Sequence, residues 1–501
     1  MDVPPESRLS DCTCASRRIH ASRSLLRPVQ AGRFNIVKHY KLRTNPKNVR
    51  ANERLCGKKR EPQKNPTRDD HPRRAAGAFI SGFAHQAWSN PVHSVRRWLL
   101  PIGTHPDILP LLIARALRAF ADGYVAVLLP VYLIALGLGT WEVGVLATAT
   151  LLGSALATLA IGAWGYRVHD GRLLLGAALL MCGTGLAFAA SSTFWPLLLV
   201  AFAGTLNPSS GDVSLFLPLE HARIAEAADG DARTALFARY SLTGSLLSAF
   251  GALAAALPGL LTAWTGIPHL EALRSMFVLY GCIGFAVWML YRRLPRPHEE
   301  APKPPVPLGP SRKIVVRLAM LFSVDSFAGG LVVNALLALW LFQRFGMSVA
   351  SAGQFFFWSG LCSAASQLAA PRLAKRIGLL NTMVFTHIPA SVCLIAAAFV
   401  PNLHVALALL IVRSLLSQMD VPARSAFVMA VVTPQERAAA ASFTLVPKSL
   451  ASAAAPVIGG ALFAAGLLAI PLLACGALKI AYDLAIWRSF RKHRLLAVPR
   501  K

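Results

Sequence analysis

"RAFADGYVAVLLPVYLIALGLG", residues 118–139, and "DSFAGGLVVNALLALWLFQRFG", residues 325–346, are two copies of one pattern. Each is an apolar run of a length that crosses a hydrocarbon core of roughly 30 Å as a helix. Phe120-Ala121-x-Gly123 lines up with Phe327-Ala328-x-Gly330, and the offset stays constant from 118 and 325 through to 139 and 346. One difference stands out. Where the first copy has Arg118, the second has Asp325.

The rest of the chain fits the same reading. Of its 501 residues, 55% are hydrophobic and only 15% are charged, against about a quarter charged in a soluble domain. Long apolar runs recur and lack the alternating pattern of barrel strands, so they predict an all-α integral membrane protein. From about residue 108 the spans number about twelve. In the first half they cover approximately 110–136, 142–162, 172–190, 194–217, 236–260 and 271–290. In the second half they cover approximately 314–342, 349–370, 379–400, 403–431, 438–465 and 468–488. Polar residues late in the fourth span of each half predict that these spans are broken or partly interfacial.

Five segments follow. Residues 1–104 are a basic extension, including "GKKREPQKNPTRDDHPRR", whose composition predicts disorder. Residues 105–290 and 314–488 form two six-helix bundles. A Pro-rich charged linker, 291–313, joins them, and 489–501 is a basic tail. The formal net charge is +28, and it collects in the extension and the loops. That distribution reads as an orientation signal and not as a nucleic-acid surface. Lys and Arg lie in "GYRVHDGR", the linker, "PRLAKR", "PQER" and "WRSFRKHR", while the opposite loops are almost free of them. The positive-inside rule then puts both termini and the linker in the cytoplasm. A bacterial plasma membrane is the expected location. The eight Cys show no metal-ligand spacing, so no metal or other cofactor is expected.

Two like-oriented halves imply a pseudo-two-fold axis along the membrane normal, with a cavity between them at mid-depth. "SSGDVS", 209–214, lines up with "SQMDVPARS", 417–425, in corresponding spans. At this point the chain resembles the major facilitator superfamily, over about residues 105–490. That family's loop motif Gly-x-x-x-Asp-Arg-x-Gly-Arg is present in a degenerate form. Gly162 and Arg167 keep pattern positions, but Tyr166 replaces the acid and Asp170, Gly171 and Arg172 are displaced. In the second half Arg376 and Gly378 are in place and Lys375 replaces the acid. "APVIGG", 455–460, looks like a drug–proton antiporter element, though it lies in the eleventh span where those proteins carry it in the fifth. The simpler reading is that its small residues permit close helix contact and its Pro bends the helix.

Charged residues inside spans are costly, by about 2.5–3.5 kcal/mol on insertion scales, and by default mark a pathway or a partner. Arg118 and Asp122 share one helical face, roughly 12–18 Å in from Pro110. One expectation is that Arg118 meets Asp325 when the cytoplasmic side closes. The alternative is that Arg115 and Arg118 snorkel and Asp122 neutralises Arg118. Arg413, Asp420 and Arg424 share a face of the tenth span, and Asp420 has either Arg within reach. Lys479 and Asp483, one turn apart, read as a structural pair. Lys448 has no sequence-local partner and either reaches an acid across the bundle or binds an anionic group. Asp212, near Asn207 and Glu220, is a further cavity candidate. The substrate and proton pathway is therefore assigned to Arg118, Asp122, Asp212, Asp325, Arg413, Asp420, Arg424 and Lys448.

No phosphate-binding Gly-rich loop and no nucleophile–base set is apparent, so an enzyme is not expected. The resemblance implies a secondary active transporter of a small molecule, working by alternating access, coupled to protons, exporting rather than importing, and acting as a monomer. The competing class is a receptor on a transporter scaffold, which would be expected to carry an added signalling domain.

Overall fold

The computed structural model describes residues 108–164, 170–209, 214–227, 230–294, 309–433 and 436–491. The N-terminal extension, most of the linker, the end of the basic tail, Arg167 and Asp212 lie outside these residues. What is described is all-helical, and its helices string into spans much as the apolar runs predict. The first three spans are α1 (Leu109–Ala135), α2 (Thr140–Trp164) and α3 (Asp170–Ala190). The fourth is broken into α4 (Phe194–Ala203) and α5 (Phe216–Ala227). The fifth runs through α6 (Gly230–Ala254) into α7 (Leu257–Thr265), and the sixth is α8 (His269–Tyr291).

The second half opens with a seventh span in two pieces, α9 (Arg312–Gly330) and α10 (Asn334–Phe345). Then come α11 (Val349–Ile377) and α12 (Leu379–Phe399). The tenth span is broken into α13 (Leu403–Ser417) and α14 (Asp420–Val431), followed by α15 (Arg437–Ala464) and α16 (Ile470–Phe490). Ten of these stretches are both long and apolar enough to cross a membrane. The fourth and eighth spans fall short, one because it is broken into short pieces and the other because Ser, Gln and basic residues dilute it. Trp195, Leu199, Trp264 and Phe399 stay largely exposed, as suits side chains that face acyl chains rather than water.

The break in the tenth span is where its polar residues predict, at Gln418 and Met419. The fourth span breaks at Gly204, earlier than its charged residues, and resumes at Phe216. The seventh was expected to be continuous and is not. Its interruption at 331–333 frees backbone groups, and the Ala335 amide donates to the Pro208 carbonyl at 3.1 Å. Two interrupted spans, one from each half, thus satisfy each other's backbone, the condition for irregular chain at membrane depth.

The repeated Phe-Ala-x-Gly has a packing cause. A side chain at Gly123 would run into the Ser248 carbonyl of α6, and one at Gly330 would run into the Ser452 carbonyl of α15. The shared glycine is the point where the first span of each half lies against the fifth. "APVIGG" acts in a similar way. A Cβ on Gly460 would lie 2.7 Å from the Gly144 Cα of α2, and one on Gly459 would meet the Leu331 carbonyl at 2.7 Å. Beside this contact the Val457 amide donates to Thr148 Oγ1 at 2.8 Å.

The bundle has a linker end, which carries residues 294 and 309, and a far end, which carries the α1–α2 loop. The halves meet toward the far end. There α10 packs on α1 and α2, and Leu336, Leu339, Trp340 and Leu341 are fully buried. Toward the linker end, α5 and α14 pack within their own halves.

Candidate functional site

Among the described residues, each half contains one buried cluster of charged side chains. In the first half, Arg118 of α1 is 2% exposed and Glu220 of α5 is not exposed at all. An Arg Nη2 donates directly to Glu220 Oε2. The carboxylate also accepts from the Tyr240 hydroxyl of α6 and, on Oε1 at 2.6 Å, from the Tyr291 hydroxyl of α8. The guanidinium carbon lies 4.0 Å from the centre of the Phe216 ring, a cation–π contact. Four spans therefore converge on one carboxylate. Asp122 is buried one turn further along α1.

The second half uses the equivalents of α1, α5 and α8 with the Arg–carboxylate charges reversed, and it adds a helix from its third span where the first half adds one from its fifth. Asp325 of α9, 4% exposed, accepts from Arg424 of α14 at 2.7 Å on Oδ2. It also accepts from Lys479 of α16 at 2.7 Å on Oδ1. Arg424 is bonded to Asp420 one turn away as well. His387 of α12 extends the cluster. Its Nδ1 lies 3.0 and 3.2 Å from the two Asp483 oxygens, and its Nε2 lies 3.4 Å from Lys479 Nζ and 3.9 Å from Asp325 Oδ1. A carboxylate only accepts and an ammonium only donates. The neutral ring that satisfies both carries its proton on Nδ1, donating to Asp483 and accepting from Lys479 on Nε2. The Arg424 guanidinium also faces the rings of Phe322 and Tyr482.

The paired residues explain the charge difference between the two copies of the repeat. Arg118 and Asp325 both tie the first span of their half to the second piece of the fourth. One does so as cation and the other as anion. In this conformation they do not meet each other, because each is saturated inside its own half; the expected gate concerns the state closed on the cytoplasmic side. Neither does Arg118 depend on Asp122 alone, since Glu220 provides its counter-charge.

Lys479 and Asp483 are a further correction. Their spacing suggests a pair, but Lys479 turns to Asp325 and Asp483 turns to His387. Asp420 selects Arg424 over Arg413, which sits half-buried on the same face. Lys448 is half-buried in α15, just after Pro447. Gly162 lies in the last turn of α2; Arg376 is exposed in the last turn of α11, and Gly378 takes a left-handed φ of +87° between α11 and α12.

Sequence reasoning missed His387, Tyr240 and Tyr291, and it named Glu220 only as a neighbour of Asp212. Tyrosines in apolar spans are common filler. The one available signal for His387 was a titratable ring in the middle of the otherwise apolar ninth span.

Outside the spans, Glu436 anchors the chain after the linker. It accepts from the Gly309 amide, the Ser311 amide at 3.3 Å and Thr433 Oγ1 at 2.6 Å. Hydrogen bonds from Ser311 and Thr433, helped by the Gly309 backbone, hold its carboxyl low, at about 2. A carboxyl lowered on folding stabilises at pH values above its unfolded pKa, about 4.5. That stabilisation is lost only as the pH falls toward about 2. Glu436→Ala is therefore expected to lower the melting temperature by the same amount at pH 5.5 and pH 8. A loss that differs between the two would contradict this assignment.

Known proteins resemble the chain as follows. An uncharacterized membrane protein of Saccharomyces cerevisiae is 24% identical over 406 residues, covering 74% of this chain and 91% of its own length. A bacterial homolog of the human lysosomal transporter Spinster, solved in an inward-facing and occupied conformation, superposes with a TM-score of 0.62 at 17% identity. That match covers 78% of this chain and 98% of the homolog. A peptide transporter of the POT family, solved in an auto-inhibited form, gives a TM-score of 0.60 at 15% identity, covering 79% of this chain and 99% of its own. At these identities the structures share the fold. Residues 111–417, more than half of the chain, match the sequence model of the Major Facilitator Superfamily. The chain belongs to that superfamily and is a secondary transporter of small molecules.

Proposed function

We propose that this transporter is coupled to protons and exports its substrate, working as a monomer with both termini and the linker in the cytoplasm. The observation that carries the coupling is Asp325. It is a buried carboxylate at mid-span shared by two cations on two other helices, Arg424 and Lys479. A proton on this acid removes the charge that holds α14 and α16 to α9, so one titration acts on three helices. Intramembrane acids of this kind mark proton relays in pumps and transporters.

The packing supports an arrangement open at the linker end, since the halves meet at the far end while α5 and α14 stay within their own halves. With the basic loops at the linker end, this reads as the inward-facing state of two bundles, 105–290 and 314–488, a division that rests on the sequence repeat and the linker between its copies. Residence in a bacterial plasma membrane is part of the same reading, and the charge bias of the loops supports its orientation there. Export rests on the apolar composition of the spans, which suits amphipathic compounds entering from the cytoplasm or the inner leaflet.

The test is a substrate screen in proteoliposomes with an imposed proton gradient and an internal pH indicator. Asp122, Asp212, Asp325 and Asp420 are each replaced by Asn, which keeps the shape and removes the titration. Asp325→Asn is expected to uncouple substrate movement from the gradient. If all four variants respond to the gradient as the parent does, coupling through these acids is wrong. Substrate moving down the proton gradient, together with protons, would reverse the direction proposed here.

A further inference from the structure

Removing the charge of Asp325 creates a problem that the cluster already contains the means to solve. Arg424 retains Asp420 as a partner. Among the described residues, Asp325 is the one carboxylate in direct contact with Lys479, and a buried ammonium that loses its contacting counter-charge costs several kcal/mol. The group within reach is His387 Nε2, 3.4 Å away, on a ring whose other nitrogen is held by Asp483. We propose that His387, oriented by Asp483, is the alternate acceptor for Lys479, taking over its hydrogen bond when Asp325 binds a proton.

The step balances without any redox partner. The incoming proton forms an O–H bond on the Asp325 carboxyl. The Lys479 N–H···Oδ1 bond breaks, and the longer N–H···Nε2 contact already present at 3.4 Å tightens to become its principal hydrogen bond. Lys479 stays an ammonium throughout. Its positive charge then faces the His387–Asp483 pair, whose net charge of minus one reaches it through the ring. The shift is a side-chain swing within one cluster, because both acceptors already lie next to the same Nζ.

Other charged groups on the elements packed against α12 are accounted for. Asp325 lies on α9, and Asp420 and Arg424 lie on α14. Cys475, Lys479, Tyr482, Asp483 and Arg488 lie on α16, with Cys475 buried one turn before Lys479, Arg488 in the last turn, and the Tyr482 ring edge-on to the imidazole at 6.3 Å. On α13, His404 is exposed near the far end and Arg413 is half-buried, and the basic residues of α11 are confined to its last two turns. None of these offers Lys479 a second acceptor as near as the imidazole. His387 is thus a positioning residue in this proposal, and the proton is carried by Asp325. The inference deepens the proton-coupled reading and rests on it for its consequence in transport.

Protons themselves are the probe for the test. Purified protein in lipid nanodiscs is titrated from pH 8.5 to 4.5 while the infrared band of protonated carboxyls is recorded. The band component lost in Asp325→Asn reports that residue. His387→Leu removes the alternate acceptor, so protonation of Asp325 would strand Lys479. The midpoint of the component is then expected to move to lower pH by about one unit or more. His387→Gln keeps an acceptor and a donor but cannot titrate, and it is expected to stay near the parent midpoint. It also guards against a folding defect in the Leu variant, and the melting temperature of each variant is measured alongside.

An unchanged midpoint in a folded His387→Leu protein overturns the proposal. So does loss of the pH response in His387→Gln, which would make His387 the proton carrier. So too does the absence of any Asp325 component in the parent. The two readings separate cleanly. A midpoint that moves as expected in a protein indifferent to a proton gradient keeps this inference and removes proton coupling. Gradient-driven transport with a fixed midpoint does the reverse.

Discussion

Asp325→Ala is expected to be the most damaging single change in the second-half cluster, destabilising the protein by about 3–5 kcal/mol. The cause is the two cations left behind. Arg424 and Lys479 each donate to Asp325 at 2.7 Å, and the carboxylate is 4% exposed. Without it, the His387 imidazole is the polar group left in contact with Lys479 among the described residues, and three helices lose their common tie. Asp325→Asn should be milder, since the amide oxygen still accepts one hydrogen bond, although the charge is gone. Asp420→Ala removes one partner of Arg424 while the Asp325 bond persists, so it should cost less than Asp325→Ala. Unfolding followed in mixed detergent gives the order directly. An Asp325→Ala protein as stable as Asp420→Ala would mean that the shared carboxylate is not the centre of the cluster.

The sequence carried the spans well because span length and apolarity are local properties, set by bilayer thickness and not by neighbours. The repeat was legible for the same reason. Gly123 and Gly330 are fixed by a helix crossing that recurs in both halves, so the glycine recurs too. Partners were less legible. Arg118 finds Glu220 more than one hundred residues away, and no local spacing points there. Where spacing was used, it succeeded for Asp420 and Arg424 and failed for Lys479 and Asp483. All four lie one turn from their neighbour. The difference is what faces them. Asp420 and Arg424 meet one another beside Asp325, whereas Lys479 and Asp483 straddle two facing groups, Asp325 and His387, each nearer to its charge than the other is. Spacing on a helix shows which residues share a face and leaves open what that face meets. The interruption of the seventh span was hidden for a related reason. "GGLVVN" is apolar enough to continue a helix, and its interruption is accommodated by an acceptor that no local pattern shows, the Pro208 carbonyl of the other half, which takes the Ala335 amide.

The second large effect concerns Arg118, and it separates a brace within one half from a gate between halves. Arg118→Ala leaves Glu220 fully buried with only two tyrosine hydroxyls to hold it, and a loss of about 3–5 kcal/mol is expected. Glu220→Ala should cost somewhat less, because Asp122, one turn away on α1, remains as a counter-charge for the guanidinium over Phe216. The pair is in contact, so the double variant should cost clearly less than the sum of the single ones, with a coupling of about 1–3 kcal/mol. Reversing the pair, Arg118→Glu with Glu220→Arg, should recover part of the stability. Recovery will be incomplete, since Tyr240 and Tyr291 are set to donate to a carboxylate at 220 and Asp122 would then face an acid at 118. The same cycle run on Arg118 and Asp325 should show additivity in the conformation described here, because each is saturated by its own half. Coupling between 118 and 325 that matches the coupling between 118 and 220 would mean that the two charges meet in a second conformation, with the brace exchanged for a gate as the transporter turns.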